Sequence, residues 1–461
     1  MSIDKYAKRP KAEIAPQNGK YEIYNLQENP FPSSPFVNPE SKDQRNNGKI
    51  YEPSIREQEY NTIEENFLSV PQSDPNHLRL GYVMDTSYVG RGNGKTAFLT
   101  NLQRRINQDF GLTISKELNK CFAIIAVPEP SGRTKTFDDL VDIIVTRIFD
   151  SNLIEDCLIS LRLEAISDLY EDFEAEKHFS TEEEIKTKLQ SADWYIENGF
   201  DYKSVVNQIF SNSNLQSLPS DFPIYSSMTL VMEITEQKDF VNYFKRLKRG
   251  KSRIEFLFSH LVEFFLAAGF NGGYVFIDDF ERIPDFQSEK QKRDFALELR
   301  TWLFDGMSTN AKIGFFNFII VLHAGVPPLI QPAWEQTGLE HRSPISYKGN
   351  AKHIIRFEKI KAQDALTLMQ KYLQSYRISN VAADSFFPFT REAIEKMAEL
   401  NDLNASKILK MAYEVLEQAV EQNIREIDVD FINSNDEIRF AEQHHTSGLS
   451  EAVTKDLNKE T

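Results

Sequence analysis

The chain has 461 residues, 41% of them hydrophobic, and carries 53 Lys plus Arg against 69 Asp plus Glu, a formal charge of −16. That length allows two or three domains and a large core, and that acidity excludes a blanket nucleic-acid binder: any such contact must come from a local basic surface. The two cysteines, Cys121 and Cys157, exclude a disulfide framework and suit a reducing compartment.

In chain order, the start at Met1 lacks the apolar core of a signal peptide. The longest apolar stretches, near 256–270 and 313–330, are interrupted by His260, Glu263, Asn317, His323 and the Pro327-Pro328 pair. Neither could span a bilayer, so a cytoplasmic protein without a membrane contact is expected. Residues 1–50 are polar and punctuated by Pro30, Pro32, Pro35 and Pro39. They read either as an extended arm docking through Phe31 and Phe36 or as a disordered tail. A helix begins near Ile55, with Tyr60, Ile63 and Phe67 at helical spacing.

From about residue 77 strands alternate with helices. The first strand leads into Tyr88–Thr96, a glycine-rich run that ends in Gly94-Lys95-Thr96 and is followed at once by the helix-forming segment from Ala97 to Ile106. A nucleoside triphosphate carries closely spaced negative oxygens, so its cradle needs backbone N–H groups that all point inward. Gly90, Gly92 and Gly94 permit such a backbone, Arg91, Asn93 and Ala97 complete the run, and the helix adds its positive end. Lys95 would reach the β- and γ-phosphates and Thr96 would ligate magnesium. The usual spacing departs at one place, where Val89 replaces the first glycine. An ordinary glycine-rich turn capping a helix is the plainer alternative.

Cys121–Val127 reads as the next strand and Phe137–Ile148 as a helix. Residues 151–269 have helical periodicity, acidic at first and basic at the end, where Lys245, Arg246, Lys248, Arg249, Lys251 and Arg253 cluster. The basic end suits a DNA or partner contact, or is simply a solvated helix face. Gly273–Ile277 is an apolar run closed by Asp278 and Asp279, as a buried central strand delivers acids to the edge of a parallel sheet. Asp278 would hold the magnesium shell and Asp279 would orient and deprotonate the attacking water. Phe315–Leu322 is another buried strand, and from Ala362 only helices follow, one capped by Thr390 and a long one over 405–422. The fold class expected is α/β, a parallel sheet covered on both faces. The divisions expected are 1–50, 51–150, 151–269, 270–360, 361–433 and a polar tail over 434–461.

This order of parts resembles the AAA+ P-loop ATPases, and within them the initiator-type clade of origin-recognition and transposition-regulator ATPases. The resemblance spans roughly residues 50–430 and leaves the helical insertion unaccounted for. Gly92–Thr96 is similar to the Walker A core and Asp278-Asp279 to Walker B. Pro53, Ile55 and Arg56 resemble the segment that lines the adenine pocket. Ile319–His323 resembles the sensor-1 strand, which makes His323 a polar tip for the γ-phosphate or the lytic water; a strand-end histidine without a role is the alternative. The helices after 361 resemble a lid, where Ser406 stands in place of an expected arginine and leaves Lys407 or Lys410 to supply charge. Arg342 falls where relatives carry an arginine finger, or is a surface arginine.

The resemblance implies ATP and Mg2+ as ligands, ATP hydrolysis, and a homo-oligomer in the ATP state serving a DNA-linked process such as replication, transposition or mobile-element defence. Asp279 is one methylene shorter than the family's usual glutamate, which implies slow or partner-stimulated turnover. The Asp-Asp pair also looks like the STAND and KAP signalling ATPases, an alternative in which a protein partner is the trigger.

Overall fold

The computed structural model describes residues 19–39, 41–85, 92–225, 238–345, 351–379 and 386–434. These form two compact units, one drawn from 19–55, 92–97 and 359–434, the other from 56–85 and 98–358.

The second unit is α/β. Its strands are β1 (Leu80–Asp85), β2 (Cys121–Ala126), β3 (Gly272–Ile277), β4 (Phe316–Leu322) and β5 (Ile354–Phe357). All pair in parallel, in the order β2-β3-β4-β1-β5. A parallel sheet is covered on both faces, so its central strands must be apolar throughout. Every residue of β3 and β4 is buried. Gly273 lets β3 pack closely: a Cβ there would lie 2.8 Å from Phe122 and 2.9 Å from Phe316. The connection from β1 leaves toward β2 at one edge of the sheet, whereas that from β4 leaves toward β5 at the other. The carboxyl ends of β1 and β4 therefore flank a topological switch point, the usual place for a ligand in an open parallel sheet.

The region 151–269 is helical where described, from Leu153–Leu169 to Val262–Ala267. Its apolar side chains, among them Leu158, Trp194, Phe222 and Phe264, belong to the same continuous core as Val275 and Phe318 of the sheet. Cys121 and Cys157 are buried free thiols in this unit, and burial pushes the Cys121 thiol up to about 12. Among the described residues no helix is long and apolar enough to cross a membrane.

In the other unit, helices Ala362–Ser375, Arg391–Leu400 and Ala405–Glu421 pack around Met369, Leu373, Ile394 and Leu416. Thr390 caps the second of them, its side chain accepting from the Ala393 amide. The proline-punctuated N-terminal segment is built into this core. Phe31 is fully buried, with its ring 6.2 Å from Tyr372 and 5.8 Å from Phe389. The Gln27 amide donates to the Tyr376 carbonyl at 2.9 Å, and the Asn29 side-chain amide donates to Glu417 at 2.8 Å. Docking runs through Phe31 and not Phe36, which is 79% exposed: Asn29 and the Leu26–Arg377 bridge anchor the chain before it reaches that ring. The expected polar tail over 434–461 lies outside the described residues from 435 onward.

Candidate functional site

Of the expected phosphate cradle, Gly90 and Arg91 lie outside the described residues. Gly92 and Gly94 both adopt positive φ, 96° and 86°, a backbone that glycine enters without the penalty of a Cβ. Lys95 opens the helix Lys95–Gln108, which places the positive end of the helix at the loop. Asn93 and Lys95 are buried, and Thr96 and Ala97 are half-buried. The start of helix Ala405–Glu421 rests on this loop. The Ser406 amide donates to the Gly92 carbonyl at 3.0 Å, and a Cβ on Gly92 would come within 2.6 Å of the Asn404 side-chain oxygen. Asn404 also caps the helix, accepting from the Lys407 amide at 3.2 Å. Lys407 itself is exposed, and Lys410 stands 3.9 Å from Glu414. Pro53 is exposed and Ile55 packs on the helical core of this unit.

In the sheet unit, the carboxyl edge gathers a polar cluster. Asp85 ends β1, His323 follows β4 and Asp278 follows β3. Register explains the first contact: Met84 is opposite Leu322, so the next residues along, Asp85 and His323, are neighbours. His323 Nδ1 lies 3.0 Å from Asp85 Oδ2, and its Nε2 lies 3.3 Å from Glu281 Oε1. Asp278 is buried, and one of its oxygens accepts from the Asp279 amide at 3.0 Å.

Asp279 is left-handed, φ 50° and ψ 40°. For an L-residue that costs on the order of 1 kcal/mol, less for aspartate than for most. It turns the chain sharply into Phe280–Arg282, and this brings Glu281 back toward His323. Ligating atoms of Asp279, Glu281 and His323 all lie within 4.8 Å of one another. Carboxylate oxygens are the donors that magnesium takes, so Asp278, Asp279 and Glu281 suit that ion better than the imidazole does.

Other expected residues have structural partners. Arg56 is buried, paired with Glu59 at 2.8 Å, donating to the Glu358 carbonyl at 2.9 Å, and stacked over Phe357 at 4.2 Å. Arg342 is half-exposed and pairs with Asp305 at 2.6 Å, which also takes Arg300. In the basic stretch, Asp142 holds Arg253 at 2.6 Å and lies 3.7 Å from Arg249, which is exposed, as are Lys245, Arg246, Lys248 and Lys251.

Two residues of the carboxyl-edge cluster, Asp85 and Glu281, are not apparent from the loop and the paired aspartates alone. Asp85 closes an apolar run as Asp278 does, so the sequence does carry a signal for it. Glu281 carries none, because its place depends on the left-handed turn at Asp279. Comparison with protein-family profiles, with characterised proteins and with solved structures finds no match to the chain.

Proposed function

We propose that this chain is a P-loop ATPase of the AAA+ kind that binds ATP through Gly92–Thr96 and hydrolyses it slowly. The observation that carries the reading is the convergence of Asp85, Asp278, Asp279, Glu281 and His323 on the carboxyl edge of the sheet, at the β1/β4 switch point. The left-handed glycines and the buried Lys95 at a helix start support the same reading. In it, the loop amides and Lys95 hold the phosphates, and Thr96 and Asp278 hold the cation. Magnesium, when bound, would neutralise charge building on the phosphates. Asp279 takes the proton of the attacking water. His323, fixed by Asp85 and Glu281, orients that water or the γ-phosphate.

The test is phosphate release together with nucleotide binding. Lys95→Ala is expected to lose ATP binding. Asp279→Asn is expected to keep ATP binding and to lose at least 100-fold in turnover, the usual scale for removing a general base. Full turnover in Asp279→Asn would move the base elsewhere.

For the output, ATP-dependent assembly in a DNA-linked process rests on the resemblance and on the exposed Lys245, Arg246, Lys248 and Lys251. The engagement of Arg253 by Asp142 at 2.6 Å favours keeping a second reading, a STAND- or KAP-like switch triggered by a protein partner. Size-exclusion chromatography with ATP separates them: a mass change on adding DNA supports the first, and one seen only with a protein partner supports the second.

A further inference from the structure

One oxygen of the carboxylate assigned to take the water's proton is already engaged in this structure. Asp279 Oδ2 is paired with the Arg282 guanidinium, three residues on. The same guanidinium donates through Nη1 to the Pro128 carbonyl at 3.0 Å, just beyond the end of β2. Arg282 thus ties the turn after β3 to the neighbouring strand while covering one oxygen of Asp279. The turn that carries both residues is fixed: Phe280 and Ile283 are buried on either side of it, the Arg282 amide donates to the Asp279 carbonyl at 3.1 Å, and Pro284 follows. The ion pair itself is soft, with about a third of each side chain exposed. A pair this exposed to solvent opens at little cost.

We propose that Arg282 is a positioning residue that holds Asp279 in a resting arrangement, and that opening this pair is part of each catalytic turnover. This rests on the ATPase reading and deepens it. In the reacting state the water oxygen bonds to the γ-phosphorus as the bond to the ADP oxygen breaks. The water's proton passes to the Asp279 carboxylate and later to solvent. The oxygen that accepts from the guanidinium has a lone pair directed at Arg282 and not at that water, so the carboxylate meets the water with one oxygen where it would otherwise offer two. The pair therefore subtracts from turnover without touching nucleotide affinity, and it supplies a reason for slow basal hydrolysis that does not depend on the length of the aspartate side chain.

The experiment uses the full chain, with ATP binding, KM and kcat measured separately. Arg282→Ala is expected to raise kcat about two- to fivefold, the range set by the strength of an exposed ion pair, with Kd and KM unchanged within about twofold. Arg282→Lys, which restores a cation in reach of Asp279, is expected to return kcat to the wild-type value. Asp279→Asn is expected to abolish turnover in both backgrounds. Should Arg282→Ala lower the melting temperature, Arg282→Gln keeps a donor for Pro128 without the charge and is expected to show the same gain. An unchanged or lowered kcat in Arg282→Ala and Arg282→Gln, with ATP still bound and wild type turning over, overturns the clamp alone. Absence of ATP binding and turnover in every protein overturns the ATPase reading and the clamp together.

Discussion

At the scale of single residues, burial and charge decide which side chains carry strain. Asp156, in the helix Leu153–Leu169, has its carboxyl pushed up to about 6 by burial, against the opposing pull of Lys186. A raised carboxyl means that folding favours the protonated form. Its stability is fully present below the unfolded value near 4 and is lost as pH rises through about 6. Asp156→Asn is therefore expected to stabilise the protein by about 1 kcal/mol at pH 7.5, a figure discounted for partial exposure, with the gain largely gone by pH 4. Denaturant melts at the two pH values check it, and an equal effect at both would assign the change to packing. Residues differ in how far they can be read from sequence for a related reason. Lys95, Thr96, Asp278 and Asp279 stand out because their chemistry is local to a few consecutive positions. Asp85 and His323 are 238 positions apart, and only the strand order makes them neighbours.

At the scale of elements, apolar period and capping residues predict most of what forms. The strands β1 to β4 and the helices Phe137–Asp150, Arg391–Leu400 and Ala405–Glu421 lie within a few residues of where spacing and caps place them. Capping is the reason at Thr390 and Asn404, whose side chains each accept from the amide three residues on. The short β5 is less legible, since four residues give too little alternation to separate a strand from an apolar turn. The N-terminal segment is least legible, because prolines describe its local backbone while its partners sit some 350 to 400 positions away. Phe31 is the anchor that decides between arm and tail. Phe31→Ala removes a ring buried against Tyr372 and Phe389, an expected loss of about 3–4 kcal/mol. Hydrogen exchange is the discriminating measurement. The Gln27 and Ile378 amides, bonded to Tyr376 and Asn25, should lose protection while the amides of β3 and β4 keep theirs. Retained protection at Gln27 would show that backbone pairing, and not the Phe31 ring, holds the arm.

At the scale of the whole molecule, a chain with a formal charge of −16 repels a polyanion, so DNA affinity must come from a patch dense enough to overcome that field. The sequence offers six cations between Lys245 and Arg253, but the fold sets Arg253 against Asp142 at 2.6 Å. This leaves Lys245, Arg246, Lys248, Arg249 and Lys251 to meet phosphates, with exposed side chains on a short stretch of chain. Each phosphate contact to duplex DNA releases about 0.9 of a counterion, so a plot of log affinity against log salt should have a slope no steeper than about −4.5. Between 50 and 200 mM salt that amounts to roughly a 500-fold loss. Reversing Lys245, Arg246, Lys248, Arg249 and Lys251 to glutamate is expected to abolish binding and leave basal ATP turnover unchanged, since none belongs to the phosphate loop or the carboxylate cluster. A slope of about −5.4 would require Arg253 to leave Asp142 on binding, which is a conformational change and would appear as lost protection in the helix Phe137–Asp150. No salt-dependent binding with or without ATP would remove DNA as the partner of this patch, and the protein-triggered switch would then be the reading that accounts for the nucleotide site.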